Sequence, residues 1–287
     1  MTTSCEEQVD RYLRTGRHEH FYPAWPGSDF LARAQNGHAA LRAALVAEVR
    51  SRAGHATIPA AFVGLDLDAF TRARVAPMVR GLFPRAEQAL VLDVLCRSVV
   101  FLTPENIEGI LRETHWNHTA WCLANLYLAS VDAALLGADS VGILGLSEET
   151  TCYISMKYFG DTDRFADYVV HEAAHVFHNC KRHHIGLPET RRREWLLPIH
   201  FAKREVFAYG CEVYSRLLSL GKNPAARRAL VSELEPRWFP LAGDGEAEEC
   251  LEVLRSAVEA RNGWKRLLEH CAYSLSRRRA PRGPDAP

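Results

Sequence analysis

The chain has no C-x-x-C spacing among its eight cysteines (5, 96, 122, 152, 180, 211, 250 and 271), which excludes a zinc ribbon and a thioredoxin-like redox pair. It has no excess of either charge: 35 Lys and Arg stand against 35 Asp and Glu. That balance argues against a nucleic-acid binder working by bulk charge and against a surface held to acidic lipid. Long apolar runs are missing too. The longest uncharged stretch in the middle, Thr119 to Val131, is 13 residues and too short for a membrane span. The start, MTTSCEEQVDRYLRTGRHEH, carries acid before its first Arg and no apolar run, so it does not read as a secretory signal. Gly-rich phosphate loops, a G-x-S-x-G elbow, internal repeats and low-complexity linkers are all absent. Only five of the 35 basic residues are Lys, a skew that reads as coding bias rather than a binding surface. A disulfide framework belongs to shorter secreted chains. These absences lead us to expect a cytoplasmic protein with reduced thiols, no nucleic-acid or membrane partner, and an oligomeric state the sequence does not specify.

What is present is ordinary globular composition, 47% hydrophobic and 24% charged over 287 residues. The first 28 residues read as a polar and aromatic arm punctuated by Pro23, Pro26 and Gly27. Asp29 is placed to cap a helix over 30–53, and helical periodicity recurs at 68–80, 84–100, 104–114 and 119–136. The spans 139–146 and 150–158 are the strand candidates. Further helices are expected over 163–179, 202–220 and 246–276, with Gly221 and Pro224 closing the second. The fold class is therefore mostly α with a small β-sheet, an α+β arrangement. The expected organisation is a helical region over 1–138, a metal-binding region over 139–277 and a disordered tail over 278–287.

Residues 171–175 read HEAAH. On a helix, His171 and His175 lie one turn apart on one face, a separation at which two imidazoles can share one Zn²⁺. Glu172 is turned about 100° from them and can reach a water on that metal, the H-E-x-x-H arrangement. With 13 His and 23 Glu, chance would produce this pattern about 0.05 times in such a chain. A catalytic zinc wants a third protein ligand and an open position. A metzincin would place Gly and His three and six residues after His175, where this chain has His178 and Lys181. A later carboxylate is the alternative, and three qualify: Glu205, Glu212 and Glu194, the last with eighteen residues between it and His175.

With these residues the chain resembles the gluzincins, the clan of zinc metallopeptidases that includes thermolysin and the zinc aminopeptidases. The resemblance covers about residues 150–215. It implies a zincin-like catalytic core following the N-terminal helical region, and a ligand Glu near the start of a second helix. The stretch EVFAYGCE looks like that helix, so Glu205 is favoured over Glu194 and Glu212. Two features depart from the clan. G-x-M-E-N is absent, and Tyr209 stands where a thermolysin-like Asp would follow the ligand Glu. The implied activity is hydrolysis of a peptide or protein substrate, with zinc as cofactor, His171, His175 and Glu205 as ligands and Glu172 as general base. Two other readings stay open: a helical interaction protein with a structural or vestigial zinc, and a zinc hydrolase of a non-peptide amide. His178, His183, His184, Tyr209 and Tyr214 lie within sequence reach of an oxyanion role but read equally as capping or core residues. Thr151, Tyr153 and Ser155 share a strand face that could pair with an extended substrate. The pair His115 and His118 lacks a companion carboxylate, Cys180 and Cys211 read as packing residues, and Arg191 to Arg193 read as a solvated turn.

Overall fold

The computed structural model describes residues 4–54, 58–137, 145–148, 150–190, 193–234 and 244–273. The expected tail over 278–287 and most of the expected strand over 139–146 lie outside them. The described part is mostly helical with one small sheet. Its helices are α1 (Cys5–Thr15), α2 (Phe30–Ala53), α3 (Leu67–Leu82), α4 (Arg85–Ser98), α5 (Ile107–Glu113), α6 (Asn117–Ser130), α7 (Tyr168–Asn179), α8 (Arg204–Leu220), α9 (Pro224–Ser232), α10 (Asp244–Glu259) and α11 (Gly263–Cys271). Its strands are β1 (Val99–Leu102), β2 (Gly145–Glu148) and β3 (Thr151–Ser155). Among the described residues, no helix is long and apolar enough to cross a membrane. All eight cysteines are free thiols.

Several elements differ from expectation for local reasons. The N-terminal arm contains α1, opened by a capping box in which Ser4 and Glu7 satisfy each other's backbone N–H groups. The helix expected over 84–100 ends at Ser98, and the β-branched and aromatic run VVFL turns into β1. The strand expected over 150–158 stops at Ser155, where a 3₁₀ turn takes over. Helix α7 starts at Tyr168, capped by Asp167, rather than at Asp163. Pro224 opens α9 behind the Asn223 cap instead of merely following α8, as proline's missing N–H allows at a first helical position. The single helix expected over 246–276 is broken at Asn262, which caps α11.

The sheet has the order β1-β3-β2, with β1 parallel and β2 antiparallel to β3. Its period-two alternation sends side chains to two separate helical layers. Phe101, Cys152 and Ile154 join a core with α3, α4, α7, α8, α10 and α11. Leu102, and with it the partly buried Leu146 and Tyr153, joins a second core with α1, α2, α5 and α6. Because β3 is central, Thr151, Tyr153 and Ser155 do not lie on a free edge; β2 is the edge strand beside α7. The segment following α7 is tied to α4 by Arg182. This side chain is fully buried and makes a two-pronged contact to Glu87, at 2.6 and 3.3 Å, and a bond to the Pro188 carbonyl.

Candidate metal centre

The HEAAH segment forms the middle of α7, and its apolar neighbours Val169, Val170, Ala173, Val176 and Phe177 bury the helix against the first core. Ala173 and Ala174 have no bulk to hold α7 away from its neighbours. His171 and His175 therefore face the N-terminus of α8, where Glu205 sits in the first turn. The two Nε2 atoms are 3.4 Å apart, and Glu205 Oε2 lies 3.9 Å from His171 Nε2 and 3.6 Å from His175 Nε2. A circle through these three atoms has a radius of about 2.1 Å, the bond length zinc takes to imidazole nitrogen and carboxylate oxygen. Two imidazoles and one carboxylate form a donor set that suits zinc. This trio is the one cluster among the described residues that could hold a metal ion.

The other two carboxylates weighed as ligands lie elsewhere. Glu194 pairs with Lys181 at 2.7 Å on the surface. Glu212, two turns along α8 from Glu205, is buried behind His171 and accepts a bond from its Nδ1 at 2.9 Å. Its other oxygen accepts the Asp167 backbone N–H at 2.8 Å. Glu212 thus orients the imidazole and directs Nε2 at Glu205, the arrangement that raises ligand basicity in metal sites. On the second ligand, Nδ1 of His175 meets His178 Nε2 at 3.1 Å, and His178 in turn reaches Asn179. His178 therefore lies behind His175 and not among the ligand atoms.

Burial alone would lower the pKa of His171, but the bond and charge of Glu212 outweigh it and raise the pKa to about 9. His175 has no such partner, and burial followed by the charge of His171 holds it well below the usual range. Burial pushes Glu172 above the ordinary carboxylate range. The same cause lifts Asp167, the α7 cap, to about 6 against the nearby Arg74. A doubly protonated His171 has no lone pair on Nε2, so a metal ion binding there would have to displace that proton. Since a proton bound with a pKa of about 9 competes at any lower pH, apparent zinc affinity is expected to rise about tenfold per pH unit from 6 to 8. Competition with a chelating indicator calibrated at each pH measures that slope; a flat profile would show that His171 is neutral without metal.

Glu172 is held by β2. The Ser147 hydroxyl donates to its Oε2, and a Cβ at position 145 would lie 2.5 Å from its Oε1, so a side chain there would displace the Glu172 carboxylate. Gly145 and Ser147 share the strand face turned to α7. Arg204 is the cation next to the trio: its Nε is 3.3 Å from Glu205 Oε1, its guanidinium stacks on exposed Phe201, and its side chain remains 40% exposed. Neither Ser147 nor Arg204 is marked out by a motif; the position of Arg204 directly before Glu205 is the one signal in the sequence for it.

The remaining sequence candidates separate. Tyr209 packs edge-on against the His171 ring, 4.5 Å between centroids. Tyr214 packs on Trp264, and His183 pairs with Glu189 at the surface. His118 contacts Cys122, whereas His115 packs edge-on against Trp116. Cys180 and Cys211 are buried in the first core. Arg193 reaches Glu87, and Arg191 and Arg192 lie outside the described residues. No protein-family model, no curated protein and no solved structure matches the chain.

Proposed function

We propose that the chain is a zinc-dependent hydrolase of gluzincin type, a metallopeptidase in which His171, His175 and Glu205 hold the metal and Glu172 is the general base. The observation that carries this reading is the triangle of ligand atoms at zinc-bonding radius, with a buried carboxylate one residue away. No fourth protein ligand stands with them among the described residues. That favours catalysis over a structural zinc, which would be closed by four protein donors. His178 meets His175 at Nδ1, the ring nitrogen opposite the one turned to Glu205.

Bound zinc would supply a Lewis acid that polarises the scissile carbonyl and acidifies a water. The chain supplies the rest. Ser147 occupies Glu172 Oε2, which leaves Oε1 to accept a proton and return it to the leaving nitrogen. The raised pKa of Glu172 brings it closer to neutral pH, where proton transfer in both directions is efficient. Arg204 offers positive charge for the oxyanion that develops.

Elemental analysis of the purified chain is expected to find about one zinc per chain. A peptide library should be cleaved, and cleavage should stop on chelation and return with zinc. A metal-free preparation that resists zinc loading would remove the reading; a loaded one that cleaves small amides but no peptide would keep the centre and change the substrate. Glu212→Gln should weaken zinc binding about 10- to 100-fold, because the amide has one acceptor oxygen for two donors, His171 Nδ1–H and the Asp167 N–H, and carries no charge to raise the basicity of the imidazole. Unchanged affinity would show that His171 needs no such support.

A further inference from the structure

A second group of functional side chains lies in the other core layer, away from the metal centre. Helix α1 ends at Gly16 in the left-handed conformation, φ 68°. A side chain at 16 would meet His118 and Trp121 at about 3 Å, so glycine lets the chain after α1 lie directly on the first turn of α6. The Tyr12 hydroxyl donates to the Asn117 carbonyl at 2.7 Å, and the Trp121 indole donates to the Leu13 carbonyl at 2.8 Å. These contacts fix the end of α1, the 16–23 segment and the start of α6 as one platform. Two adjoining concavities open on it, of about 770 and 440 Å³, and both are lined by Arg11, Arg17 and His118.

The charges here are not used internally. Arg14 is paired with Asp10 at 2.6 Å, but the Arg11 and Arg17 guanidinium groups have no ion-pair partner among the described residues. Glu19, the acid in the lining, is itself partnered. His18 and His20 add two imidazoles, and burial followed by the positive charge of its neighbours holds the His18 pKa down at about 4. The lining holds two arginines against one acid, although the chain as a whole is neutral. Two guanidinium groups without ion-pair partners, on the wall of one concavity, are donors that an anion could accept from. A phosphate group, with its spread of acceptor oxygens, suits two planar guanidinium forks better than a single carboxylate does. Phe21, 76% exposed, lines the larger concavity and provides an apolar wall for an organic portion.

We propose that this cleft binds a phosphate-bearing ligand, a small molecule or a lipid headgroup, through Arg11, Arg17 and His118. The test is calorimetric titration of the full chain with inorganic pyrophosphate, alongside the Arg11→Gln/Arg17→Gln double variant and Arg228→Gln, an exposed arginine of α9 that lines neither concavity. Arg11 and Arg17 are exposed, so the double variant should fold, as circular dichroism checks; His118→Ala is the independent second variant. The expected result is binding by the wild type that weakens about tenfold or more in the double variant and in His118→Ala, with Arg228→Gln near wild type. Cosedimentation with phosphatidylcholine vesicles containing phosphatidic acid distinguishes the sources. Vesicle binding lost in the double variant assigns a headgroup, and pyrophosphate binding without vesicle binding assigns a soluble phosphate. Absence of binding to both probes overturns the proposal. So does equal binding by wild type and double variant, which would place the anion at the metal centre, or equal loss in all variants, which would mark bulk charge.

Discussion

Glu172→Gln is expected to retain zinc and lose hydrolysis by about 10²- to 10⁴-fold, the usual contribution of a positioned general base. The substitution keeps the shape that Ser147 and the bare backbone of Gly145 enclose, and the amide oxygen can still accept the serine hydroxyl. It removes the atom that takes the proton. Its effect on stability is expected to be neutral or favourable. A carboxyl whose pKa is raised by burial is penalised in the folded state at neutral pH, so a neutral amide relieves that penalty. Thermal unfolding of the variant should therefore occur at or above the wild-type temperature. Metal content, hydrolysis rate and melting temperature measured together check the assignment. Hydrolysis that survives at the wild-type rate would dismiss Glu172 as the base even if the metal is present.

The second large effect concerns the fold around the centre. Glu87→Ala is expected to destabilise the protein by about 3–5 kcal/mol, because it leaves Arg182 buried and without its counter-charge. Arg182→Met should cost less. Glu87 is partly accessible and keeps a second partner in Arg193, at 3.3 Å, and the methionine fills the apolar part of the space. Denaturant unfolding of the two variants gives the comparison. Equal costs would mean that the pair acts as simple packing and not as an asymmetric buried charge. Since Arg182 anchors the chain just after the C-terminus of α7, Glu87→Ala should also weaken zinc retention, although it touches no ligand.

The parts of the site that were legible in the sequence are those set by local spacing. HEAAH on a helical period places two imidazoles on one face whatever the rest of the chain does. The strand after residue 150 was legible from its β-branched and aromatic run, and the helix carrying Glu205 from its own period. The choice among three carboxylates was not a local matter. Glu194 had the spacing of one known pattern, yet its segment turns outward to Lys181. Glu205 and Glu212 share a helix face, and their roles separate only because α8 crosses α7 with its first turn at the Nε2 atoms and its third turn behind His171. Strand β1 was read as the end of a helix because a short apolar run is ambiguous between the two periods. Its pairing to β3, far along the chain, resolves it. Helix α1 stands in the sequence both in its capping box and in Cys5, Val9, Tyr12 and Leu13 at helical spacing; its low overall hydrophobicity makes the segment read as a polar arm.

The sequence alone determined the helical class, the two-histidine pair and the carboxylate beside it, because a helix repeats every 3.6 residues and so converts spacing into direction. Tertiary structure brought Glu205, which the resemblance had favoured, to that pair, and alone decided which acid stands behind His171 and which serine and glycine enclose Glu172. Those partners come from segments that only packing around a three-stranded sheet brings within bonding distance, and nothing in their spacing along the chain encodes that approach.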